Sequence, residues 1–182
     1  MSIEANISLY QEQKKSKPQI ENVISEYLDG EMKNIALDFV ARLRTNRMSP
    51  IWASGNSWKS SYKGKGICYV KLDRGKWVVI PLLDHLNQYR EIVVNEGLQN
   101  TIWVNIFRCE ECNPGCAPGK DRTVLDRVFK NSCYGRPPIV FNDPNEAAID
   151  CIKRLLEMER RARSKKNEAS FEHFRFYNEA IF

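Results

Sequence analysis

The chain has 182 residues, 42% of them hydrophobic and 28% charged, and its 28 Lys and Arg against 23 Asp and Glu give a net charge of +5. That composition excludes a disordered polymer, and no apolar run approaches the ~18 residues of a membrane-spanning helix. The mild positive charge permits an acidic partner without requiring nucleic acid.

A single domain with loosely attached ends is expected at this length. Residues 1–19 are polar, with the charged patch Gln11-Glu-Gln-Lys-Lys-Ser-Lys17, and read as a flexible arm. The domain itself is expected over 20–167. Ile20–Leu28 suits a short helix closed by Asp29-Gly30. Met32, Ile35, Ala36, Phe39, Val40 and Leu43 then recur at three and four, the apolar face of an amphipathic helix. Arg42, Arg44 and Arg47 stand at its C-terminal end, where the macrodipole favours cations, and Ser49-Pro50 closes it. Ile51-Trp52 suits a strand, and Tyr62-Lys-Gly-Lys-Gly66 a turn. Ile67–Leu72 and Lys76–Ile80 flank Asp73-Arg-Gly75, the signature of a hairpin. Glu91–Val94 reads as a short strand. Leu98, Ile102, Trp103, Ile106 and Phe107 fit a helix capped by Asn95 that would end at Cys109. Pro138–Phe141 is a strand candidate. Asp143-Pro144 suits the start of a long helix with Ala148, Cys151, Ile152, Leu155 and Met158 on its buried face. Its far end, Arg160 to Lys166, is basic, and 168–182 is an aromatic tail carrying Phe171, Phe174, Phe176, Tyr177 and Phe182. Aromatic side chains are costly to leave in water, so the tail is expected to fold back or to form a homodimer with a second copy. The expected fold is α+β: a small antiparallel sheet flanked by N-terminal and long C-terminal helices, with a cysteine-rich metal-binding element.

That element is Cys109-x2-Cys112-x3-Cys116-x16-Cys133. Four thiolates at such spacings can converge on one tetrahedral zinc, short loops supplying three and a longer loop returning the fourth. Asn113-Pro-Gly and Ala117-Pro-Gly turn the chain sharply, as a metal loop requires. Arg108, Lys120, Arg122, Arg127 and Lys130 can offset the negative charge of a four-thiolate site. The N-terminus, Met1-Ser-Ile-Glu-Ala-Asn, lacks the pattern of a secretory signal, so a cytoplasmic location is expected. In a reducing compartment clustered cysteines point to metal or redox chemistry rather than to a disulfide framework. Structural zinc leads; an iron–sulfur cluster and a redox pair stay open. Four thiolates leave zinc no open position, which argues for a structural role. Cys68 and Cys151 read as small buried hydrophobes.

The segment Cys109–Cys133, with Ala117-Pro-Gly-Lys120 and Thr123-Val-Leu, resembles a family of small bacterial proteins with no assigned activity. So does Asn142-Asp-Pro-Asn-Glu-Ala147 with Cys151-Ile-Lys-Arg-Leu-Leu-Glu157, and the likeness covers roughly Tyr27 to Glu159. Glycine is usual in that family where this chain has Asp126, a residue that also tolerates a left-handed turn. The resemblance implies a cysteine-rich, metal-binding element on a small α+β domain, and no activity.

Trp52, Trp58, Tyr62, Tyr69, Trp77 and Trp103 could line a pocket for a flat apolar ligand, although aromatics of this kind more often form core. Neither His85 nor His173 belongs to a nucleophile motif, and the glycines of Lys63-Gly-Lys-Gly66 are too close together for a phosphate loop. The leading function is a non-enzymatic zinc-stabilised module for an unidentified small molecule or protein partner, with no membrane association. One alternative is a thiol redox sensor or enzyme using the cluster cysteines. The other is a nucleic-acid-binding protein using Lys153, Arg154, Arg160, Arg161, Arg163, Lys165 and Lys166.

Overall fold

In a computed structural model the described residues are 3–73, 75–109, 119–132 and 138–179, with backbone alone at 3–9 and 165–179. Three helices come first: α1 Ile3–Ser16, α2 Ile20–Tyr27 and α3 Gly30–Thr45. The expected arm thus contains a helix, and its Gln13 is buried against the domain. The apolar spacing in α3 turns Ala36, Phe39, Val40 and Leu43 inward. Its end is a left-handed closure at Arg47 (φ +59), with Arg47 N donating to Arg44 O (3.0 Å) and Met48 N to Leu43 O (2.9 Å).

Strands β1 Pro50–Ser54, β2 Ser57–Tyr62, β3 Lys65–Asp73 and β4 Lys76–Pro81 follow as an antiparallel meander, and β7 Phe141–Asn142 completes a five-stranded sheet in the order β1-β2-β3-β4-β7. The expected hairpin is β3–β4, in register from Cys68 opposite Pro81 to Asp73 opposite Lys76. Gly75 supplies its positive φ of +76, and its N–H donates to Tyr27 O, tying the turn to α2. Strand β2 carries no such signal. Its sequence Ser-Trp-Lys-Ser-Ser-Tyr has one fully buried aromatic, Trp58, and it forms because β1 and β3 pair with it on both sides.

The middle departs from expectation. Residues Glu91–Val94 form no strand; after a 3₁₀ turn at Leu86–Tyr89 they lie in helix α4 Arg90–Asn95. Val93 is buried while Ile92 and Val94 are exposed, and in so short an apolar run periodicity does not separate helix from strand. Asn95 therefore ends a helix instead of capping one. Gly97 (φ +69) turns the chain, and α5 is only Gln99–Val104. A separate hairpin, β5 Lys120–Val124 and β6 Arg127–Ser132, turns at Leu125 (φ +50) and Asp126 (φ +65), so Asp126 does adopt the left-handed conformation.

The long helix, α6 Glu146–Glu179, starts later than expected. Asp143 instead exchanges backbone and side-chain bonds with Trp77 (Asp143 N to Trp77 O and Trp77 N to Asp143 Oδ1, both 2.8 Å), and Asn145 Oδ1 takes the Ala148 N–H as the cap. The helical backbone continues through Arg160–Lys166 and into 168–179, where a separate tail was expected; the tail's aromatic side chains lie outside the described ones. Helices α3 and α6 meet, and α6 also packs on β3 and β4. The shared core includes Phe39 edge-on to Trp77 (centroids 6.1 Å apart), Phe141, Ile152 and Leu155. No helix among the described residues is long and apolar enough to cross a membrane.

Candidate functional site

Two places concentrate polar chemistry. The first is on α6. Its buried stripe advances by four, Cys151, Leu155, Glu159, Arg163, so an apolar row continues directly into two ionised side chains. Burying a carboxylate is costly unless it is fully hydrogen-bonded, and Glu159, 0% exposed, is. It accepts from His85 N (3.1 Å), Tyr89 OH (2.8 Å) and Arg163 Nε (2.8 Å), and it lies 2.8 Å from His85 Nδ1. Burial alone would raise its pKa; the bonds from His85, Arg163 and Tyr89 outweigh that and hold the carboxyl below its ordinary range. Burial, and then the charge of Glu159, push the Tyr89 phenol upward, so it stays a neutral donor. The Arg163 fork also reaches Gly66 O (2.9 Å), Lys65 O (3.3 Å), Leu82 O (3.2 Å) and Asp84 Oδ2 (3.2 Å). One guanidinium thus pins the base of the β3–β4 hairpin to α6. The sequence reading gives Glu159 no functional role. The available signal was its place, with Arg163, on the stripe that Cys151 and Leu155 begin.

The same helix settles how its other cations are used. Lys153 bonds Asp38 (2.7 Å), Arg154 bonds Glu96 (Nε to Oε2, 2.7 Å), and Arg161 pairs with Glu157. With Arg163 buried as well, much of the basic run named in the nucleic-acid alternative is engaged within the chain.

The second place is the cysteine element. Of its four cysteines Cys109 is described and is buried; Cys112, Cys116 and Cys133 lie outside the described residues. The segment 105–109 lies between β6 and 138–140. Phe107 N donates to Pro138 O (2.7 Å) and Val140 N to Asn105 O (2.9 Å) on one side, and Arg108 bridges Ser132 on the other. Cys109 and Asn131 are bonded twice, Cys109 N to Asn131 O (2.7 Å) and Asn131 Nδ2 to Cys109 O (2.9 Å). Gly119 rests on the same residue, so closely that a Cβ there would stand 2.7 Å from Asn131 C and 2.8 Å from its O. Cys109 and Gly119 therefore meet at Asn131. Among the described residues no three or more His, Cys, Asp or Glu side chains gather as a metal group. Cys68 and Cys151 are buried free thiols; burial raises both pKa values, that of Cys151 to about 11, which makes them poor nucleophiles.

The six aromatics proposed for a pocket are spread through the fold. Trp58 and Trp77 are core, and Trp58 Nε1 donates to Pro18 O. Trp52, the cross-strand partner of Trp58, donates to Gln13 Oε1 and stacks near Tyr10. Trp103 donates to Val124 O beneath the Arg127 guanidinium, which joins α5 to the β5–β6 hairpin, and Tyr69 lies beside Lys59. Tyr62 alone of the six lines the larger described cleft. Comparison of the chain with protein-family models, with curated proteins and with solved structures finds no match.

Proposed function

We propose that the chain is a zinc-stabilised binding module, non-enzymatic, in which Cys109, Cys112, Cys116 and Cys133 hold one structural zinc. The observation that carries this is the meeting of Cys109 and Gly119 at Asn131. Cys112 and Cys116 lie in sequence between those two residues. Cys133 follows Ser132, the bridge partner of Arg108, and adjacent Cα atoms are about 3.8 Å apart. A loop closed at Asn131 would allow the four thiols to converge on one centre, and four thiolates are the donor set of a closed structural zinc site. Zinc would supply a crosslink and no chemistry. On the same cysteine spacing we place the chain with the family of small bacterial proteins that it resembles, and in the cytoplasm, where such thiols stay reduced.

Metal analysis tests the proposal. One zinc per chain is expected, lost in Cys112→Ser together with part of the thermal stability, because metal binding here is coupled to folding. Metal-free protein with four reactive cluster thiols and unchanged stability would falsify it. Iron with inorganic sulfide in the purified protein would replace zinc by a cluster.

A further inference from the structure

Beside the Glu159 network lies a cleft of about 610 Å³, and none of its described lining residues belongs to the cysteine element. Its size falls within the range of small-ligand sites, roughly 300–1,000 Å³. Arg154, Met158, Arg161 and Ala162 reach it from one face of α6, at spacings of four, three and one. Opposite them stand Tyr89 and Ile92, and Tyr62 closes one end, its hydroxyl 3.1 Å from Ser164 Oγ.

The lining has a definite chemical character. Met158, Ala162, Ile92 and the two tyrosine rings offer an apolar bed, while Arg154, Arg160 and Arg161 are the charged groups and no carboxylate is present among its described lining residues. Glu96 and Glu157, just outside, engage Arg154 and Arg161. Arg160 has no carboxylate partner among the described residues; its guanidinium lies 5.9 Å from the centre of the Tyr62 ring. A cation over an aromatic face at the mouth of an apolar cleft matches a ligand that is both flat and negative. The Glu159 network fixes the floor, because Tyr89 is held by its hydroxyl to Glu159.

We propose that this cleft binds a small organic anion, a planar apolar body carrying a carboxylate or a phosphate, with Arg160 meeting the charge and Tyr62 the ring. It deepens the binding role proposed above and rests on that role, but not on the zinc.

The test is calorimetric titration of the full chain with 1-naphthoate, 1-naphthyl phosphate and the neutral 1-naphthylmethanol, with zinc content measured in the same samples. One or both anions are expected to bind saturably, one per chain, at least about tenfold more tightly than the alcohol, as befits one charge-assisted contact. The stronger of the two anions identifies the group. Arg160→Gln, at the cleft rim, should abolish the preference for the anion while leaving the alcohol unchanged; Ile92→Asp, on an exposed position, should weaken the anions most. Absence of saturable binding by folded protein, equal affinity for anion and alcohol, or a preference that survives Arg160→Gln would each overturn the assignment. Zinc-loaded protein that ignores all three probes refutes the cleft and leaves the zinc intact; zinc-free protein that binds them does the reverse.

Discussion

Around Glu159 the chain buries a charge and surrounds it with donors from His85, Tyr89 and Arg163; around Cys109 it buries a thiol whose backbone is bonded twice to Asn131. The first region is closed by contacts between residues far apart in sequence, and its side chains satisfy one another. The second is a small hairpin and an extended segment, held to the domain by backbone bonds, by the buried side chains of Val124, Leu125 and Phe129, by Trp103 on Val124 O and by the ion pair of Arg90 with Asp126. A two-stranded hairpin is marginal alone in water. One part of the molecule is held by its own polar groups, and the other by a small apolar anchor and main-chain bonds, to which the proposed zinc would add a crosslink.

Breaking the first region should have the largest effect. Glu159→Ala removes the buried carboxylate of Arg163 and leaves it only the exposed Asp84, and removing one partner of a buried pair costs about 3–5 kcal/mol. Chemical denaturation should show that loss, with zinc content unchanged. A change below about 1 kcal/mol would mean that the Arg163 contacts to Gly66, Leu82 and Asp84 hold the helix without Glu159.

Acid should reach the same site by titration. A carboxyl held below its ordinary range contributes stability that is present above the unfolded value, about 4.3 for glutamate, and is lost as pH falls through the lower folded value. Melting temperature should therefore be level from neutral pH to about 5 and fall below that, less steeply in Glu159→Gln than in the wild type. Identical acid limbs in the two proteins would remove Glu159 as the cause.

Breaking the second region should cost less. Gly119→Ala places a Cβ against the Asn131 backbone, and overpacking of that kind costs about 1–3 kcal/mol. Zinc retention is the sharper readout: chelator should strip metal faster from Gly119→Ala than from the wild type, whereas Glu159→Ala should leave the stripping rate alone. Equal rates in all three proteins would show that the Asn131 junction does not shape the cysteine loop.

The two regions were also unequally legible in the sequence. The cysteine spacing announced itself because its members are close along the chain. The α3 face and the β3–β4 hairpin were legible for the same reason: Phe39, Val40 and Leu43 repeat locally, and Gly75 marks the turn between two apolar runs. Strand β2 was not, because Ser60 and Ser61 carry no apolar pattern and pairing on both sides makes the strand. Helix α4 was misread because Ile92, Val93 and Val94 suit either structure, and only the packing leaves Val93 alone buried. The Glu159 network was invisible for a different reason: His85 and Glu159 are 74 positions apart, and no local rule brings them together. The polar members of a buried stripe were present in the sequence, at the helical spacing of Glu159 and Arg163; their partners were not.

The most direct test is to weigh metal and thiols in one purified, folded sample. One zinc per chain is the expected result, with Cys109, Cys112, Cys116 and Cys133 shielded from a thiol reagent until chelator is added and reactive afterwards. Folded protein with no metal, and with those four cysteines reacting at the same rate with and without chelator, would contradict it.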